Sequence, residues 1–291
     1  MNLSDKQKGV GLSLFGVLII TPDSLFIRLI NIPSWELLFY RGLIPSIFLL
    51  LGLIIYYKKN FLKSFLVNGI AGLFFAVIMA LGNTTFVISI QNTNVANTLI
   101  MIALTPFATA ILSSIFLKEH PSKKMWLTII SCFLCVLFIF YDSYQANRIF
   151  GDFFGLLTAI FVGGGAVIIR YAKLVNFLPA LLISKLFTFL IPLFFMHSFS
   201  NVLLIDTREF YLIMGMGACL CIAFCMITFA PRYIPAYEVE IFFVLETILG
   251  PLWVWLVILE EPSSKTIIGG IVIISIIIAY TVSELKKNQK L

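Results

Sequence analysis

The chain has 291 residues, of which 60% are hydrophobic and 12% charged, and its formal net charge is +6. Soluble domains carry about 25% charged residues, so this composition excludes a water-soluble globular protein. With only short connections between its apolar runs, the chain has no room for a soluble domain, and its positive charge reads as topology and contact with anionic lipid, not as nucleic-acid binding.

A helix needs about 20 apolar residues to cross the hydrocarbon core, and ten such runs follow one another. They cover residues 9–28, 34–56, 65–88, 95–117, 124–141, 151–172, 177–197, 210–230, 237–258 and 266–284. The first run follows Lys6 and Lys8 as a secretory signal would. It meets Thr21-Pro22-Asp23 in place of a small-residue cleavage site and then continues apolar, so it is read as a retained span. The second run contains Arg41, and the third and fourth gather polar residues that include Asn83 and Asn97. Cys132-x-x-Cys135 in the fifth run has redox or metal spacing but no βαβ context, so both thiols are read as small apolar filler. The sixth run contains Gly163-Gly164-Gly165, the seventh Lys185, and the ninth Tyr237, Glu246 and Trp253. His120 and His197 are too far apart to suggest a metal site, and no cofactor is expected. There is no Gly-Lys-Ser/Thr phosphate loop, so ATP is not the driver in this chain.

Basic residues set the orientation. Of the 20 Lys and Arg, Lys6, Lys8, Lys58, Lys59, Lys63, Lys118, Lys123, Lys124, Arg170, Lys173, Arg232, Lys286, Lys287 and Lys290 fall on the side that holds both termini. Only Arg28, Arg148, Arg208 and Lys265 fall at the other span ends. The positive-inside rule therefore predicts a multi-pass protein of the cell (cytoplasmic or inner) membrane with both termini in the cytoplasm, which needs an even number of spans.

A shift of 142 residues carries Arg28 onto Arg170, Thr105 onto Thr247, Leu117 onto Leu259, Glu119 onto Glu261 and Lys123 onto Lys265. The chain thus reads as a duplicated unit, residues 1–145 and 146–291, with five spans in each copy. An odd number of spans inverts the second copy, so the expected fold is an all-α membrane protein of ten transmembrane helices in two inverted five-helix repeats. Transporters of this symmetry hold their site near the midplane, beside helices interrupted at matching positions. The same shift carries Thr21-Pro22-Asp23 onto Gly163-Gly164-Gly165, which predicts paired hinges at Pro22 and at Gly163, Gly164 and Gly165.

Ionisable groups inside spans default to function, with a named partner. Asp23 and Arg41 lie roughly 8 and 10 Å from the outer ends of their spans, and Lys185 and Glu246 roughly 12 and 13 Å from the cytoplasmic ends of theirs. At these depths Asp23 can meet Arg41 and Lys185 can meet Glu246, either as static structural ion pairs facing the bundle interior or as groups that receive a solute or a proton. Glu240, a turn into its span, reads as interfacial. The predicted solute site comprises Asp23, Arg41, Asn83, Asn97, Lys185, Tyr237, Glu246 and Trp253, with charges for a carboxylate and an ammonium and amides opposite aromatic rings.

The segment from Asn94 to Phe138, with Thr105-Pro106 and Leu117-Lys118-Glu119, resembles the EamA-type permeases of the drug/metabolite transporter superfamily. The second half repeats the pattern from Glu246-Thr247 through Leu259-Glu260-Glu261-Pro262 to Gly269-Gly270, and Trp35 to Gly42 is similar to the family's second span. This resemblance implies a permease that moves small molecules by alternating access, often outward, through a cavity lined by the first four spans of each half. It also implies a structural role for Glu119 and Glu261 and homodimer contacts through the fifth and tenth spans, although Cys132, Phe133, Cys135 and Phe138 replace the family's small-residue spacing there. The expected function is a secondary transporter of a small polar or zwitterionic metabolite such as an amino acid, and not an enzyme; export and proton coupling are both open to it, and no sequence feature fixes the solute, the direction or the coupling ion. A lipid-modifying enzyme would need acids, histidines or a nucleophile clustered near an interface, and a membrane sensor would carry a signalling domain. Neither feature is found.

Overall fold

The computed structural model describes residues 5–118, 123–172, 175–195, 205–230, 233 and 236–288, and among these no strand occurs. The helices are α1 (Asp5–Ile20), α2 (Asp23–Leu29), α3 (Ser34–Tyr57), α4 (Phe61–Asn92), α5 (Val95–Ile102) and α6 (Thr105–Phe116) in the first half. There follow α7 (Lys123–Gln145), α8 (Ile149–Tyr171), α9 (Leu178–Leu190), α10 (Thr207–Phe229), α11 (Ala236–Ile258) and α12 (Ser264–Asn288). Lipid offers no partner to backbone N–H and C=O groups, so an apolar chain of this kind satisfies them within helices.

Among the described residues, five helical stretches are long and apolar enough to cross a membrane: Gln7–Leu29, Ser34–Asn92, Val95–Phe116, Ile149–Tyr171 and Thr207–Phe229. Shorter apolar helices cover Trp126–Tyr141, Leu178–Phe194, Leu245–Ile258 and Ser264–Ile276. A straight helix over Ser34–Asn92 would measure about 90 Å, three times the roughly 30 Å of hydrocarbon. It instead turns back through the basic 3-10 segment Lys58–Asn60, and α3 packs against α4. Gly69, with φ of 50°, interrupts α4 once more near its start, in a backbone region that glycine enters without strain. Large apolar side chains such as Leu62, Leu66 and Ile70 lie open on the outer surface, which is stable only against lipid. The protein is a multi-pass, all-helical membrane protein.

Two Thr-Pro breaks interrupt apolar runs, and both use the same device. Proline lacks the N–H that would bond the carbonyl four residues back. Before Pro22, the Thr21 hydroxyl donates to the Leu18 carbonyl at 3.0 Å, replacing the missing bond. Before Pro106, the Thr105 hydroxyl donates to the Ile102 carbonyl at 2.6 Å. The chain therefore ends α1 and α5 and starts α2 and α6 without abandoning a buried carbonyl.

The matching break expected in the sixth run does not form: α8 runs unbroken through Gly163, Gly164 and Gly165. These glycines act by close approach. A Cβ at Gly163 would stand 3.0 Å from the backbone nitrogen of Thr109 in α6, and one at Gly165 would stand 2.8 Å from the Met79 sulfur in α4. Small residues with this effect are common where membrane helices pack.

The main packing pairs join the two halves: α4 with α8 and α9, α3 with α9, α1 with α10, and α7 with α12. The 142-residue correspondence carries α4–α8 onto α10–α1, and α4–α9 onto α10–α3, so the packing scheme maps onto itself. At the centre, Gly42 of α3 lies against α9, where a Cβ would come within 2.3 Å of the Phe189 nitrogen and 2.8 Å of the Lys185 carbonyl oxygen. Backbone atoms cannot yield as a flexible side chain can. Gly42→Ala is expected to cost about 1–3 kcal/mol, read as a lower melting temperature of the detergent-solubilised protein. An unchanged melting temperature would contradict this contact.

Candidate functional site

Three residues into α3's second turn, Arg41 faces the start of α2. Its two terminal nitrogens donate to the two carboxylate oxygens of Asp23 at 2.5 and 2.6 Å, and both side chains are 2% exposed. A bidentate fork of this kind suits a site where neither charge can be solvated. The guanidinium also lies 5.1 Å from the centre of the Phe86 ring in α4.

Lys185 on α9 is 1% exposed. Its ammonium donates to the Asn83 side-chain oxygen of α4 at 3.1 Å and stands 4.3 Å from the Phe224 ring centre on α10. The Asn83 amide nitrogen is held in turn by the Met79 carbonyl at 2.8 Å. An amide dipole and an aromatic face both favour a cation. The expected ion pair with Glu246 is absent, because equal depth in two helices fixes height and leaves direction around the helix axis open.

Glu246 instead lines a central cavity of about 190 Å³, whose wall also includes Asp23, Arg41, Asn83, Phe86, Phe224 and Phe243. The Glu246 side chain is buried and forms no hydrogen bond or ion pair with the described residues. The wall is otherwise largely apolar and aromatic. It takes in both chain breaks, through Asp23 on one side and Ala103, Thr105 and Pro106 on the other. Their repeat counterparts are there too: Asp23 corresponds to Gly165, and Leu104, in the second break, corresponds to Glu246. One half opens its helix where the other inserts a carboxylate.

The remaining predicted residues lie elsewhere. Trp253 does not border the cavity; its indole donates to the Thr21 hydroxyl at 3.1 Å and braces the first break. Asn97 belongs to a second buried polar cluster, where its amide donates to both carboxylate oxygens of Asp152 at 3.2 Å and its carbonyl accepts from Thr266 at 2.7 Å. Tyr237 is the second residue of α11, but its side chain, like those of Glu240 and the residue Glu119, lies outside the described ones. Asp152, fully buried and also bonded by the Thr93 hydroxyl, was missed because it stands at the edge of its apolar run. Its signal is an acid in the first turn of a helix, where the helix dipole favours it. Phe86 and Phe224, which face the two cations, carry no signal in a chain with 29 phenylalanines. Among the described residues no group of three or more His, Cys, Asp or Glu could hold a metal ion.

Residues 7–141 match the model of the EamA-like transporter family. Over 272 residues the chain is 24% identical to the "Pseudopaline exporter CntI" of Pseudomonas aeruginosa strain UCBPP-PA14, covering 89% of each protein. The protein of the same name from strain PAO1 matches equally. Among solved structures, one crystal structure of a protein superposes with a TM-score of 0.62 at 13% identity, covering 94% of this chain and 96% of the other, which is a likeness of fold. The helical membrane architecture and the central cavity are in keeping with that likeness, which for the family model covers residues 7–141 of the 291.

Proposed function

We propose that the chain is a secondary transporter of ten spans in two inverted repeats, residues 1–145 and 146–291, in the cytoplasmic membrane with both termini in the cytoplasm. The self-matching packing scheme and the bias of basic residues support this reading. Its cargo is a small amine or zwitterion, such as an amino acid or a relative, carried outward by alternating access. The carrying observation is Glu246, a carboxylate in an aromatic, apolar cavity with no hydrogen-bond or ion-pair partner among the described residues. Such a group takes an ammonium from the cargo, and a proton when the cargo has left. Asn83, with the Lys185 ammonium behind it, offers the complementary end for a carboxylate. Arg41 is committed to Asp23, so that pair shapes the wall. Outward movement is supported by the relative that is an exporter.

The test is flux in sealed vesicles containing the purified protein. Amines, amino acids and neutral solutes of similar size are supplied with and without an imposed pH gradient. Amines or zwitterions are expected to move and to respond to the gradient. Absence of flux for every solute, or equal flux of neutral analogues, would remove the reading.

A further inference from the structure

Along the antiparallel seam of α4 and α8, polar residues of α4 recur every fourth position, at Thr85, Ser89 and the C-cap Thr93, and α8 faces them with Thr158, Gly155 and Asp152. The seam has three rungs. At the end away from the chain termini, the Thr93 hydroxyl donates to an Asp152 carboxylate oxygen at 2.5 Å. One turn further in, the Ser89 and Thr98 hydroxyls bond at 2.8 Å, and a Cβ at Gly155 would stand 3.1 Å from the Ser89 Oγ. The bare glycine leaves that hydroxyl its place on the seam. In the third rung the Thr158 hydroxyl donates to Thr85 at 2.8 Å, and Thr158 lines the central cavity together with Glu246. All these polar side chains are buried, Asp152 and Ser89 completely.

Neighbouring rungs are one turn apart, about 6 Å for four residues, or two hydrogen-bond lengths, so one water joins each hydroxyl to the next. A hydroxyl accepts a proton on one side as it releases one on the other, so such a file passes a proton with no net change of its own.

The internal repeat separates this file from plain helix adhesion. The 142-residue correspondence carries the Thr85–Thr158 rung onto Ile227 and Gly16, and these meet in the α1/α10 seam, where a Cβ at Gly16 would lie 3.0 Å from Ile227. Asp152 falls on Val10. Ser13, at the Gly155 position, turns its hydroxyl to its own helix and donates to the Gly9 carbonyl at 2.9 Å. The mate seam packs closely with apolar atoms, so packing alone asks for neither the paired threonines nor the carboxylate.

We infer that the α4/α8 seam is a proton route, with Asp152 as its entry carboxylate near the face away from the termini and Thr158 as its exit into the cavity. Carboxylates inside membrane bundles are the parts from which proton relays are built. The Asp152 carboxylate takes a proton from that face and passes it along the hydroxyls to Glu246, which leaves Asp152 ionised and Glu246 neutral. Charged groups near the entry are Arg148, one turn earlier and bonded to Asn94, Arg28 with Glu260 beyond Thr93, and Lys265 of α12 over the Tyr141 ring of α7. At this end α4, α5 and α6 have no ionisable residue, and the Asp142 side chain of α7 lies outside the described ones.

The route rests on the transport reading above, whereas infrared spectroscopy tests Asp152 without any solute. Purified protein in lipid should show a carboxylic-acid stretch that grows on acidification and is missing from Asp152→Asn. In vesicles, Asp152→Asn is expected to cut flux driven by a pH gradient about 100-fold more than solute exchange without a gradient, the scale of a positioned proton-transfer group. Thr158→Val should shift the same ratio, and Thr158→Ser should restore it. A purely structural role would lower both fluxes together. That outcome overturns the route, as does a spectrum that Asp152→Asn leaves unchanged at every pH where the protein stays folded. The Asp152 band with no flux of any solute in the unaltered protein defeats only the transport reading.

Discussion

Truncating Arg41 to methionine is expected to destabilise the protein by about 3–5 kcal/mol, the cost of leaving a buried partner charge uncompensated. Asp23 is 2% exposed, and its two oxygens are taken by the two terminal nitrogens of Arg41. Without the guanidinium, no charged group of the wall is placed to replace that fork. The double variant Asp23→Asn with Arg41→Gln removes both charges and keeps polar side chains in the same space. It should recover most of the folded yield and melting temperature lost by the single variant. The check compares the melting of the single and double variants in detergent. Equal losses would mean that an unpaired Asp23 carries no cost of its own and that Arg41 acts by bulk alone.

Glu246→Gln is expected to behave in the opposite way, with melting nearly unchanged and flux of amines or zwitterions reduced about 10- to 100-fold, the scale of losing a hydrogen bond to a charged group. The difference follows from partnership. Removing the Glu246 charge strands no cation in the wall, because Lys185 is served by Asn83 and Phe224 and Arg41 by Asp23. The same carboxylate is the group left for the cargo. Initial rates in vesicles, measured with the pH gradient present and collapsed, provide the check. Full flux in the Glu246→Gln protein would discard the carboxylate as the cargo contact, and a collapse of melting would make its role structural.

These contrasts show where sequence reasoning reached and where it stopped. Hydropathy located the long apolar helices of the described residues, because in lipid the backbone has few alternatives. Pro22 was legible as a break, and Asp23 and Arg41 were legible as a pair from their similar depth. The break before Thr105 was not anticipated, although Thr105-Pro106 repeats the Thr21-Pro22 device. Gly163 to Gly165 misled in the other direction, since glycines that weaken an isolated helix are held in place when neighbours pack onto them. Lys185 and Glu246 share a depth but not a direction, and the rotation of each helix is set by packing that one sequence does not reveal. Trp253 and Asn97 illustrate the same limit: both are polar contacts inside the bundle, one bracing a helix break and the other holding Asp152.

The depth of Glu246 has an electrical consequence. It stands ten residues into α11, about 15 Å, or near the middle of a hydrocarbon core of about 30 Å. One elementary charge crossing the whole membrane exchanges about 2.3 kcal/mol per 100 mV, so a proton moving between either face and this carboxylate exchanges roughly half of that. If one carboxylate carries cargo out and a proton back, a singly charged amine leaves the ledger of charge balanced. A zwitterion does not: each cycle returns one net positive charge. Voltage at fixed pH would then drive export of an amino acid and leave export of a simple amine untouched.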